Sequence, residues 1–169
     1  MSLAEQLEEV FERDPQQALD FVIRCCERAV REAMDEEVDA VKAAREFDGK
    51  PDAVRACRGA ADEVREVARD ADRQPGRERD AACAWTAYHC VESVLNEGNE
   101  QLRQMKKAIK YAARAVADQT GEREWQEHEL GKLLQPKAAP IGFRSRLSAF
   151  AAGYLGPITK HMDFRSRRR

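Results

Sequence analysis

Five cysteines and three histidines are the residues of this chain whose types bear most directly on chemistry, and their spacing decides which chemistry is open to them. Cys25, Cys26, Cys57, Cys83 and Cys90, with His89, would suit zinc if they came in close pairs, because structural zinc takes thiolate and imidazole ligands from motifs such as Cys-x-x-Cys. The chain has no such pair. Cys83 and Cys90, seven apart, share one helical face, where free cysteine behaves as a small buried hydrophobe. A di-iron bundle needs Glu-x-x-His on its helices. The residues three before His89, His128 and His161 are Thr86, Trp125 and Ile158. For nucleophilic catalysis, His89 stands beside Cys90, but adjacent residues on a helix diverge by about 100°. A pair drawn from separate helices, such as His128 with Cys90, gains nothing from the spacing. There is no Gly-rich phosphate loop. The sequence therefore predicts no catalytic residue, no metal ligand and no cofactor. An odd number of cysteines without Cys-x-x-Cys fits reduced thiols better than a disulfide framework.

Charge offers a second kind of chemistry, recognition. Residues 137–169 hold eight Lys or Arg against Asp163 alone, whereas residues 1–136 hold 21 basic residues against 30 acidic ones. Asp35, Glu36, Glu37 and Asp39 form one acidic cluster, and Glu122, Glu124, Glu127 and Glu129 form another. Such clusters serve as solvated helix faces and as favourable charge near helix starts. They would also attract a basic partner and speed its association. In the tail, Arg144, Arg146, Arg165, Arg167, Arg168 and Arg169 suit phosphate contacts and salt-dependent nucleic-acid binding. Phe143, Phe150, Tyr154 and Phe164 instead suit docking on a membrane surface. The opposed charges favour a third arrangement, in which the basic tail packs on the acidic body within one chain or across a homodimer.

These groups need helices to position them. Alanine, the best helix former, occurs 27 times, and no alternating segment of useful length points to a sheet. Leu3, Leu7, Val10 and Phe11 share one side of a helix over residues 2–12. Asp14 and Pro15 then read as N-cap and first helical residue of the next, which runs to about Met34 with Leu19, Val22, Ile23, Cys26, Val30 and Ala33 inward. Asp35 is placed to cap a third helix, with Ala40, Ala43, Ala44 and Phe47 on one face, stopped by Asp48-Gly-Lys-Pro51. Val54, Cys57, Ala61, Val64, Ala68 and Ala71 form a small-residue seam expected to pack against that third helix. Residues 80–97 are apolar over most of their circumference, which requires neighbours on several sides. Only Thr86, His89, Ser93 and Asn96 make a narrow polar strip there, and Trp85 and Tyr88 supply bulk. Leu102, Met105, Ile109, Ala112 and Val116 carry the following helix; Trp125, Leu130, Leu133 and Leu134 mark another over residues 122–135. Phe143, Leu147, Phe150, Ala151 and Tyr154 line a last short helix.

Several stretches together resemble the all-helical immunity-protein domains of bacteria, including alanine-rich versions of unknown function. They are FVIRCCERAV, AVKAAREFDGKPDAVRACRGAA as helix, Asp-Gly turn and helix, AWTAYHCVESVL, and EREWQEHELGKLL, within residues 17–135. The resemblance implies an antiparallel helical domain that binds and neutralises a partner toxin without catalysis, and it carries over no catalytic residue. The expected fold is all-α, a single antiparallel bundle of six to eight helices around a buried helix at about 80–97, with an acidic bundle over 1–136 and a basic helix and tail over 137–169. The expected function is non-enzymatic protein binding, in which acidic helix faces recognise a basic partner such as a toxin. The alternatives are a nucleic-acid accessory protein using the Arg-rich tail and an adaptor subunit of a larger bacterial assembly. No run of about 18 apolar residues is present to span a membrane. The acidic, amphipathic start MSLAEQLEEVFERD is unlike a secretory signal, so a cytoplasmic location is expected.

Overall fold

Two side chains at the start of the chain set its first corner. Ser2 and Glu5 form a reciprocal capping box, with the Ser2 N–H donating to Glu5 Oε2 at 2.7 Å, and so begin α1 (Leu3–Arg13). Asp14 ends it and starts α2 (Pro15–Met34). The Asp14 Oδ1 accepts from the Gln17 N–H at 3.0 Å, and Pro15 has no N–H to leave unpaired. The computed structural model describes residues 1–34 and 38–135. Asp35, Glu36 and Glu37, the expected helix over Phe143–Tyr154 and the tail arginines Arg144, Arg146, Arg165, Arg167, Arg168 and Arg169 lie outside the described residues.

Five further helices follow: α3 (Asp39–Arg45), α4 (Pro51–Asp72), α5 (Glu78–Leu95), α6 (Gly98–Ala115) and α7 (Gln119–Leu134). Among the described residues the chain is all-α. Gly49, at φ +76°, makes the turn that lets Pro51 open α4, and Gly98, at φ +57°, reverses the chain between α5 and α6. No helix among the described residues is long and apolar enough to cross a membrane.

Helix α5 is the centre, packed by α2, α3, α4 and α6. Its buried set includes Ala81, Ala82, Cys83, Ala84, Ala87 and Cys90, short side chains that allow close helix contacts on several sides. Helix α6 runs antiparallel to it. Gln101 meets Ser93, Gln104 meets His89, Tyr111 meets Trp85, and the Ala115 carbonyl meets Arg79.

Two local expectations are corrected. Helix α3 begins at Asp39 after an extended Val38, so Asp35 is not its cap, and its seven residues are too few to cover the seam of α4. That seam packs chiefly on α5. The strip of Thr86, His89 and Ser93 is buried, while Trp85 and Tyr88 stay partly exposed. The hydroxyls need no water there: Thr86 Oγ1 donates to the Ala82 carbonyl at 2.8 Å, and Ser93 Oγ to the His89 carbonyl at 2.7 Å.

Candidate functional site

The thiols are buried and free. Cys26 Sγ points at the Thr86 carbonyl at 3.9 Å, and Cys57 Sγ at the Ala43 carbonyl at 3.4 Å. Burial pushes up the pKa of Cys25, Cys26 and Cys57, and that of Cys83 to about 11. Among the described residues no group of three or more His, Cys, Asp or Glu side chains is placed to hold a metal ion. Because all five thiols are buried, iodoacetamide at pH 8 is expected to leave them unlabelled in the folded protein and to label all of them once it is unfolded in urea. Intact-mass spectrometry reads this directly; an adduct on the folded chain would mean an open thiol.

The acidic residues expected to recognise a partner are divided. Glu124 and Glu127 are exposed on α7, and Asp39, also exposed, stands at the start of α3, a helix with different neighbours. Glu129 is tied to Lys132 at 2.5 Å and to Arg24 at 3.7 Å. Glu122 is not a surface residue. It is 2% exposed and accepts from Arg28 Nε at 2.8 Å and Gln126 Nε2 at 3.1 Å. With Gln126 and Leu130 it forms the inward face of α7, at spacings of four.

The surface feature that stands out is cationic. Helix α6 carries Arg103, Lys106, Lys107, Lys110 and Arg114 against the single carboxylate Glu100. Arg103 pairs with Glu100 at 3.2 Å and Lys106 with Glu8 at 2.7 Å; Lys107 and Lys110 have no ion pair among the described residues. Like charges three and four apart on a helix repel, costing roughly 0.2–0.5 kcal/mol per pair. The ion pairs of Arg103 and Lys106 offset part of this repulsion, and a bound anion would relieve the rest.

A depression lies on each side. Towards α1 and α7 is a groove of about 870 Å³ floored by Leu3, Leu102, Ile109 and Ala113. Arg103, Lys106, Lys107, Lys110 and Arg123 ring it, with Glu8 and Glu127 as the only carboxylates among the described residues. Gln126 also lines it, fully buried; its Nε2 donates to Glu122 and, at 3.4 Å, to the Ile109 carbonyl, and its Oε1 has no partner among the described residues.

Towards α4 is a cleft of about 470 Å³ over α5. Trp85, His89 and Tyr111 pack there with ring centroids 5.5–6.2 Å apart, and the Tyr88 edge meets Trp85 at 5.5 Å. Trp85 Nε1 donates to Asp72 Oδ2 at 2.8 Å, which fixes the indole. Gln104 Nε2 donates to Glu100, so its Oε1 accepts from His89 Nδ1–H at 2.7 Å. That leaves His89 Nε2 as an acceptor. Burial, helped by Lys107 and Arg103 and opposed by the Gln104 bond, lowers the His89 pKa to about 4, so the ring is neutral at pH 7.

The acid and base totals of residues 1–136 conceal this ridge; summing charge helix by helix would have found it, since α6 alone is strongly basic. Set against known protein families, curated proteins and solved structures, the chain matches none of them.

Proposed function

We propose that this chain is a non-enzymatic binding protein whose groove between α1, α6 and α7 receives an acidic, amphipathic segment of a partner protein. The observation that carries the reading is the apolar floor of Leu3, Leu102, Ile109 and Ala113 enclosed by five cations. Apolar anchors of a partner helix would fill the floor, and carboxylates flanking them would meet Lys107, Lys110 and Arg123, which have no ion pair among the described residues. Thiols with pKa values raised by burial make poor nucleophiles, in keeping with binding without catalysis. Inhibitory binding, as the resemblance to immunity-protein domains implies, is one use of such a groove.

The test uses two synthetic amphipathic helical peptides with identical leucines, one carrying glutamates on its polar face and the other lysines. The acidic peptide is expected to bind at least about tenfold more tightly, and Arg103→Glu with Arg123→Glu to abolish that preference. Equal binding of both peptides would defeat the proposal. A second reading, a basic partner on an acidic face, keeps support from Glu124 and Glu127, which are exposed and have no ion pair among the described residues. It requires the lysine peptide to win, and Glu124→Lys with Glu127→Lys to abolish its binding.

A further inference from the structure

We propose that the cleft between α4 and α6 is a second site, for a phosphorylated nucleoside: the base lies against its aromatic wall and the phosphate between its cations. Trp85, Tyr88 and Tyr111 are each partly exposed where they line the cleft, so ring faces and edges are open to a planar ligand. Nucleobases stack on such side chains whatever their identity, because every base has a π-face. The wall is also set in advance. Trp85 is held by Asp72, and the mutual packing of Trp85, His89 and Tyr111 leaves little side-chain freedom to lose on binding.

The cations stand on both banks, Arg65 and Arg69 on α4 and Lys107 and Lys110 on α6, and no carboxylate among the described residues lines the cleft. Arg65 and Arg69 each hold a carboxylate of their own helix, Asp62 at 3.3 Å and Glu66 at 2.9 Å. Arg65 Nε is nevertheless buried without a hydrogen-bond partner among the described residues. An unpaired buried donor is costly, so the Arg65 guanidinium is not fully satisfied by Asp62. Four cations on a site of this size call for more than one negative charge, which a phosphate monoester supplies near neutral pH. His89 adds a reason to expect a base in place of a plain aromatic ring. With Nδ1–H given to Gln104, its Nε2 only accepts, and the edge of a base offers ring N–H or exocyclic amino donors. The cleft volume of about 470 Å³ lies within the roughly 300–1,000 Å³ of small-molecule sites.

Quenching of Trp85 fluorescence in the full chain tests this, with adenosine 5′-monophosphate as the probe. Saturable quenching is expected, with adenosine alone and inorganic phosphate alone each at least about tenfold weaker. Arg69→Glu, at an exposed position, should weaken the nucleotide by about tenfold or more and leave thermal unfolding nearly unchanged. A single strand of deoxyadenylate separates the two sources of this chemistry. Tighter binding by the strand, competed by the mononucleotide, assigns the site to nucleic acid, whereas no gain assigns it to the free nucleotide; either result supports the cleft. No saturation up to about 10 mM, equal binding of adenosine or phosphate alone, or indifference to Arg69→Glu would overturn it. The cleft and the groove of the proposed partner site share Lys107 and Lys110, but Arg69 lines only the cleft and Arg123 only the groove, so Arg69→Glu here and Arg103→Glu with Arg123→Glu there separate the two readings.

Discussion

Acidification from pH 7 to pH 4 is expected to cost the folded protein about 3 kcal/mol through His89 alone. The ring is 6% exposed, and its pKa falls from an ordinary 6.5 to about 4. In the unfolded chain it takes up a proton as the pH drops below 6.5; in the folded chain it stays neutral until about pH 4. Between those values the unfolded state binds more protons, so stability declines as the pH falls and levels off below the folded pKa. The cause is chiefly burial. Lys107 and Arg103 add to it, and the bond to Gln104 works against it. Urea unfolding followed by circular dichroism at pH 7, 5.5 and 4 measures the loss. Glu5, Asp48, Glu78, Glu100 and Glu129 also have lowered pKa values and contribute in the same direction at the acid end. The comparison is therefore with His89→Gln, which keeps a donor for Gln104 and cannot titrate. Its stability should depend on pH less steeply by about 3 kcal/mol across this window, and parallel profiles would show that His89 ionises normally.

Removing Arg28 is expected to cost about 3 kcal/mol. Glu122 lies in the first turn of α7 with its side chain 1% exposed, and Arg28 Nε, 2.8 Å away, supplies the compensating charge. Arg28 also lies over the Trp125 ring at 4.8 Å, so alanine would take away packing as well. Losing one partner of a buried pair costs about 3–5 kcal/mol because the other charge is left without compensation. The Arg28 side chain is 49% exposed and water can enter where it leaves, which sets the expectation at the lower end. Urea denaturation of Arg28→Ala gives the number. Adding Glu122→Gln to that variant should recover at least about half of the loss, since the stranded charge is then gone. A cost below about 1 kcal/mol, or no recovery, would mean that Glu122 is solvated despite its burial.

The groove and the cleft depend on features with very different legibility. Asp14-Pro15, Asp48-Gly-Lys-Pro51 and Gly98 place the helix boundaries by local chemistry that operates wherever those residues occur, and α2 and α4 begin where that chemistry puts them. Helix α5 was readable because alanine and cysteine cover so much of its circumference. The inward face of α7 was hidden by residue type. Glu122, Gln126 and Leu130 keep helical spacing, yet a carboxylate and an amide count as surface until a partner such as Arg28 is known to meet them. The burial of the polar strip of α5 was hidden for the same reason, because Thr86 and Ser93 satisfy themselves on carbonyls one turn back.

By itself the sequence determined the helices, most of their ends and the choice of α5 as the buried centre, since caps, glycines and apolar periodicity act over a few residues. Only the tertiary structure decided which charges count. Packing helix faces together neutralises some charges in ion pairs, buries Glu122 and gathers Lys107, Lys110, Arg65 and Arg69 from separate segments around one aromatic cleft. A total taken along the chain carries no information about that gathering, because electrostatic interaction depends on distance in space.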